Sequence, residues 1–428
     1  MSRLRAVVAA LTLGAPFVAT AADITRVASS FEDDDPFGMF IDVGVELTQR
    51  RTKIVRESLP TEAGGTREYA NELWYRGVDP RLNFDLAIGI SRDVELSFGV
   101  PIVFQRTEKW DFIVGTDESN STILNNTIGN NCAPDGGPCT LPSAQPLFNV
   151  PLETLRGGVG NMRFGLAWAI FNQRNDDTKP TWVVGLDYEA PTAAKLDPSI
   201  PTDTEVDNAR NIGDRVHKYT MYTALSRRIG IADPYFKMHY TVPVRGPGFY
   251  SNCDQKELSP QNLGRPQNCG INGWDRKATG IQAPHTGGVT FGSEFHVYNQ
   301  PNRKVWLDLR AITNYVSEGR YYNELSGALR KLLYTGDYMQ MGGQLALKAQ
   351  VNDVLTLRGS GMLLYNTDHV LTDEKIGKDV DGNGSVDLTG NPAEINPNFD
   401  FRTDFVSRRF YATESKDFRL ELSATFSF

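Results

Sequence analysis

From residue 418 to residue 428 every second side chain is apolar: Phe418, Leu420, Leu422, Ala424, Phe426, Phe428. The residues between them are charged or small and polar: Arg419, Glu421, Ser423, Thr425, Ser427. A period of two over that length predicts a β-strand with one apolar and one wet face. The same alternation recurs many times upstream. It is written most clearly in Leu82, Phe84, Leu86, Ile88 and Ile90, the turn Ser91-Arg92-Asp93, and Val94, Leu96, Phe98, Val100, Ile102 and Phe104. A soluble sandwich could use such strands, so the deciding companion is the N-terminus. Arg3 and Arg5, an apolar run over 6–19, and the small residues Ala19-Thr20-Ala21 predict an export signal over 1–21. Apolar-out, polar-in strands in an exported chain predict a transmembrane barrel.

Counting these segments gives about twelve strands, joined alternately by short turns and long polar segments. The expected fold is all-β: a single antiparallel transmembrane β-barrel over 38–428, with short periplasmic turns and long extracellular loops. Residues 22–37 are expected to form a periplasmic tail, and the acidic run over 32–35 to be solvated. Pro101 lacks a ladder donor and predicts a bulge. Met362 and Leu364 fall out of phase with Leu355 and Leu357, and residues 317–331 permit a short helix. Trp74, Tyr75, Trp110, Tyr188, Tyr315, Tyr365 and Tyr411 are expected in the interfacial aromatic girdles. The predicted site is the outer membrane of a Gram-negative bacterium. Its partners there are lipids, a small-molecule solute and the barrel assembly machinery, which would read Phe428. Losing the signal removes two arginines and no acids, moving the net charge from −8 to −10. That balance argues against a nucleic-acid partner.

Three stretches resemble a known group. Residues 82–101 read strand, Ser-Arg-Asp turn, then Val-Glu-Leu-Ser-Phe-Gly-Val-Pro. Residues 157–166 read Gly-Gly-Val-Gly-Asn-Met-Arg-Phe-Gly-Leu, and residues 185–192 read Gly-Leu-Asp-Tyr-Glu-Ala-Pro-Thr. In this order they are similar to the outer-membrane transporters of meta-pathway phenol degradation. Val159-Gly160-Asn161 departs from that family's Gly-Leu-Gly-Asp. The resemblance implies a barrel that transports small aromatic or apolar compounds.

Alternation also selects a wet inner wall. It places Asp42, Glu46, Asp85, Glu95, Asp187, Glu189, Asp308 and Glu421 toward the lumen, together with Lys237, Arg310, Lys348, Arg358 and Arg419. Opposed charges across a narrow bore would orient polar solutes, or pair and plug it. The acids of the first three strands predict a cation-favouring wall. Four cysteines in two local pairs predict the disulfides Cys132–Cys139 and Cys253–Cys269. Asp379, Asp381, Asn383 and Asp387 alternate around Gly382 and Gly384 as in the first nine positions of a calcium loop, without its closing glutamate. Ca²⁺ there would stiffen an extracellular loop. Five histidines lie without a nucleophile elbow or a His-x-Ser pairing, so no enzyme is expected. The rival readings are a non-transporting barrel whose loops serve adhesion, reception or structure, and a lipid-modifying barrel enzyme.

Overall fold

The alternating segments pair edge to edge, each with its chain neighbour, until the last strand meets the first. The computed structural model describes residues 22–31, 37–58, 68–125, 146–206, 209–255, 266–300, 303–387 and 390–428. In chain order the strands are β1 (Met39–Ser58), β2 (Glu68–Ser91), β3 (Val94–Phe112), β4 (Leu152–Val159), β5 (Met162–Phe171), β6 (Thr181–Ala190), β7 (Val216–Ser226) and β8 (Ala232–Arg245). They continue as β9 (Thr286–Gln300), β10 (Arg303–Val316), β11 (Gly319–Tyr321), β12 (Leu333–Thr335), β13 (Tyr338–Gln350), β14 (Leu355–Asn366), β15 (His369–Val370) and β16 (Phe410–Ser427). β4 and β5 share one place in the wall, both against β3. β11 and β12 form a separate two-stranded sheet inside a loop. The result is a closed antiparallel barrel of twelve strands, the number read from the alternation.

Closure runs from Phe40 opposite Ser427 to Arg56 opposite Phe410. It is finished at the rim by Met39 and Phe428, whose backbone N–H groups each donate to the other's carbonyl at 3.0 and 2.9 Å. Among the described residues the strand ring has no open edge, as hydrocarbon demands. Val45, Phe84, Leu96, Leu166, Met221, Met238, Phe291, Leu345 and Leu420 stand exposed around the outside, and Leu422 is 71% exposed. An apolar belt of this kind needs lipid rather than water. The protein is therefore an outer-membrane β-barrel of a Gram-negative bacterium. Outside, Tyr188 stacks on Tyr219 at 4.9 Å and on His217 at 5.8 Å, as girdle aromatics do.

Three local expectations change. Pro101 keeps register with Asn83, and the register shift falls further along β3, between Val103 and Thr107. The gap between β4 and β5 sits where Pro101 has no N–H to give, and Gly160 N–H donates to the Pro101 carbonyl at 2.8 Å. Second, β14 has no phase shift. Leu357, Leu363 and Tyr365 face out, whereas Leu364 is buried within and lines the lumen with Met362. Third, Tyr75 and Trp110 are not girdle residues. They face inward and belong to an apolar core inside the extracellular half of the barrel. Its other members include Ile54, Leu73 and Phe410 from the wall, and Ile123, Phe148, Leu325 and Leu371 from loops. The expected short helix occurs at Ser326–Leu329, within this core.

Candidate functional site

The two ends of the bore are closed by different chemistry. At the periplasmic end, residues 22–30 do not trail away as a tail. They cross the mouth, and Ala22, Thr25, Ala28 and Ser30 are each only 1% exposed. The acidic run over 32–35 lies outside the described residues, as does 1–21. The crossing segment is held by polar contacts with strands around the ring. Asp23 N–H donates to Glu294 Oε1 on β9 at 2.8 Å, and the Asp23 carboxylate meets Lys348 of β13 at 3.4 Å. Thr25 shares a hydroxyl hydrogen bond of 2.7 Å with Ser226 of β7. Ala28 N–H donates to Glu95 Oε2 of β3 at 2.6 Å, and Ser30 Oγ donates to the Gly89 carbonyl of β2 at 2.7 Å. Arg26 reaches Asp42 of β1 at 3.7 Å. Gly89 is needed for this approach, since a Cβ there would lie 2.6 Å from the Ser29 carbonyl carbon.

At the extracellular end, the loop over 317–337 dips inward. Trp110 Nε1 donates to the Glu324 carbonyl at 2.8 Å. Arg50 grips Asp417 with Nε and Nη2 at 2.5 and 2.8 Å, and gives Nη1 to Glu324 at 2.9 Å. Gly327 lies flat on the indole, where a Cβ would come within 2.9 Å of Trp110. Above it, Lys331 sits 3.6 Å from Asp400 and 3.7 Å from Asp404, all three nearly buried. Burial pulls the Asp400 carboxyl up, but Lys331 and Arg402 outweigh it and hold the group at about 2. Burial pushes Asp404 the other way, up to about 6 against an ordinary 3.8, helped by the charges of Asp400 and Glu374.

Between the stoppers lies a cavity of about 660 Å³. It shares Arg163, Glu189 and Lys218 with a chamber of about 460 Å³. It shares Arg81, Arg106 and Arg419 with another of about 550 Å³. Its walls are two-sided. The strands contribute charge: Arg81 and Arg106 both bind the single carboxylate of Asp79, at 2.7 and 2.8 Å. Lys218 bridges Glu189 and Asp214 at 2.9 and 3.2 Å. Arg419 lies 3.5 Å from Glu46. The loops contribute Leu196, Ile212, Ile281, Pro284, Tyr321 and Tyr322.

Of the residues selected by alternation, Glu46, Glu189 and Arg419 meet at the main cavity, and Asp187 lines the second chamber with Asp85. Asp42, Glu95 and Lys348 gather at the lower mouth around residues 23–28. Arg358 pairs with Glu421 at 3.0 Å, and Arg310 with Asp308 at 2.6 Å. Lys237 lies over the Tyr222 ring at 4.2 Å. Residues Asp79, Arg81, Arg106 and Arg163 were not selected: the same parity, carried past Leu82 and into β5, points Asp79, Arg81 and Arg163 inward, whereas Arg106 is turned inward by the register shift in β3 beyond Val103. With Arg163 on Asp85 at 2.9 Å, the three arginines offset part of the acidic wall expected of the first strands.

In the loop between β14 and β16, Asp379 and Asp381 are joined by the buried Glu394, their oxygens within 4.8 Å of one another. A carboxylate thus comes from beyond the nine-position pattern, where spacing alone could not find it. Asn383 and Asp387 point into turns instead, accepting from Ser385 and Gly390 N–H at 2.9 and 2.7 Å. Cys253 and Cys269 form a disulfide, with Cα atoms 5.7 Å apart. Cys132 and Cys139 lie outside the described residues.

No family model and no curated protein matches the chain. Among solved structures it is similar to an outer-membrane channel of Pseudomonas putida F1, at 10% identity over 96% of this chain and 100% of that one, TM-score 0.44. A Pseudomonas aeruginosa FadL homologue is 11% identical over 91% and 90%, TM-score 0.36. The outer membrane protease OmpT of Escherichia coli is 9% identical over 94% and 100%, TM-score 0.29.

Proposed function

We propose that the barrel is a gated channel for small amphiphilic molecules, each with an apolar or aromatic body and one polar or ionised group. The observation that carries this reading is the string of connected chambers between two chain-built stoppers, charged on the strand side and apolar on the loop side. An apolar ring fits against Tyr321, Tyr322 and Ile281. A carboxylate or hydroxyl fits the opposite wall, where two guanidinium groups share one aspartate. The charged strand wall facing the apolar loops sets up a transverse field that orients such a solute during passage.

The test is solute flux into liposomes, with single-channel recording alongside. Benzoate is expected to enter several times faster than a sugar of similar size, and to block ion current when added at millimolar concentration. Gly89→Val is expected to evict residues 29–30 from the periplasmic mouth and raise conductance several-fold. Absence of both current and flux in wild type and G89V alike sinks the channel reading. Equal flux of benzoate and sugar sinks the solute class.

A further inference from the structure

Asp233, the second residue of β8, is completely buried at the periplasmic mouth. Among the described residues, neither of its carboxylate oxygens has a hydrogen-bond partner. Leaving an ionised carboxylate dry and unpaired costs several kcal/mol, so a native fold supplies something for it. The group set against it is the backbone nitrogen of Ala22, itself 1% exposed. Directly across the ladder from Asp233 stands Glu294, and the next residue of the crossing segment is Asp23. Against these three acids stand Lys348, Arg228 and Arg26, the last shared between Asp23 and Asp42 at 3.7 Å each. Arg310 and Arg358, further along the wall, are tied to carboxylates of their own, Asp308 and Glu421. With Asp42 included, four carboxylates share three cations around a buried backbone nitrogen.

We infer that Asp233 is the receptor for the new N-terminus made by removal of residues 1–21. Hydrolysis of the peptide bond after Ala21 adds one water, leaving a carboxylate on Ala21 and an α-amine on Ala22. The amine takes up a proton at neutral pH. The nitrogen that was a neutral amide thereby becomes an ammonium with three donors, beside a buried carboxylate that lacks a partner among the described residues. Processing is then what seats the periplasmic stopper: an uncleaved chain presents Asp233 with an uncharged amide, and a cleaved one completes an ion pair. The assignment rests on reading residues 1–21 as a signal.

The experiment uses full-length protein extracted from outer membranes. Intact mass and N-terminal sequencing come first; a chain that does not begin at Ala22 fails the signal reading and takes the inference with it. On chains beginning at Ala22, the α-amine is labelled with a succinimidyl ester at pH 7, where α-amines outpace lysines because their ordinary pKa is about 7.7–8.0 rather than about 10.4. Expected is at least tenfold slower labelling in wild type than in Asp233→Asn, with conductance raised in that variant. A second variant inserts one glycine between Ala21 and Ala22. It leaves Asp233 intact but carries the ammonium past it, and is expected to label as fast as D233N. This variant decides the matter if D233N does not reach the heat-modifiable folded form. Fast labelling in wild type, equal to that of either variant, overturns the inference while leaving the signal reading intact.

Discussion

Arg50 shows how much one inward side chain can carry. Its guanidinium spans the wall carboxylate of Asp417 and the loop carboxylate of Glu324, so a single residue fastens the inserted loop to the barrel. Arg50→Ala removes three charge-assisted hydrogen bonds and leaves two acids facing each other in a half-buried site. The expected loss is on the order of 2 kcal/mol of loop docking, read as faster proteolysis within 317–337 with the barrel still heat-modifiable. Asp404 makes the docked loops pH-sensitive. Its folded value is raised to about 6, so its support is full below about 3.8 and fades as pH rises through about 6. Asp400 works oppositely, its support present above about 3.8 and lost as pH falls towards about 2. Hydrogen exchange over 396–404, corrected for its intrinsic rate, should accordingly be slowest near about pH 4. It should speed up at pH 7.5 by an amount worth on the order of 2–3 kcal/mol, and Asp404→Asn should remove that rise.

At the scale of elements, the strands were readable because a period of two is imposed by lipid on one side and water on the other. Where that contrast fails, the reading fails. Tyr75 and Trp110 have the composition of girdle residues. Yet Trp74 and Tyr75 are neighbours on one strand and cannot both face lipid, and that parity was the available clue. Arg81 was lost because its strand was ended too early, although β2 runs on as Glu68–Ser91, and Arg106 because a register shift beyond Val103 reverses the parity of β3. Residues 22–30 gave no signal at all. They have no period, and they bind through backbone N–H groups and small hydroxyls that any tail possesses. Glu394 likewise joins Asp379 and Asp381 only through the path of the folded loop.

For the molecule as a whole, ring closure rests on the final residue. Phe428 gives and receives a hydrogen bond with Met39, and it extends the apolar belt at the seam. Deleting Phe428 should lower the yield of heat-modifiable protein in the outer membrane several-fold, with normal conductance in the fraction that inserts.

The extracellular stopper is a hydrophobic core, whereas the periplasmic one is a set of polar contacts and ion pairs. The two therefore answer to different physical variables. Cooling weakens apolar burial, and rising ionic strength screens partly exposed charge, with a Debye length falling from about 10 Å at 0.1 M to about 3 Å at 1 M. Chilling a bilayer should add opening events that a modifier on the extracellular side can quench. Molar salt at room temperature should add events quenched from the periplasmic side. Temperature and salt thus become separate handles on the two doors of one passage.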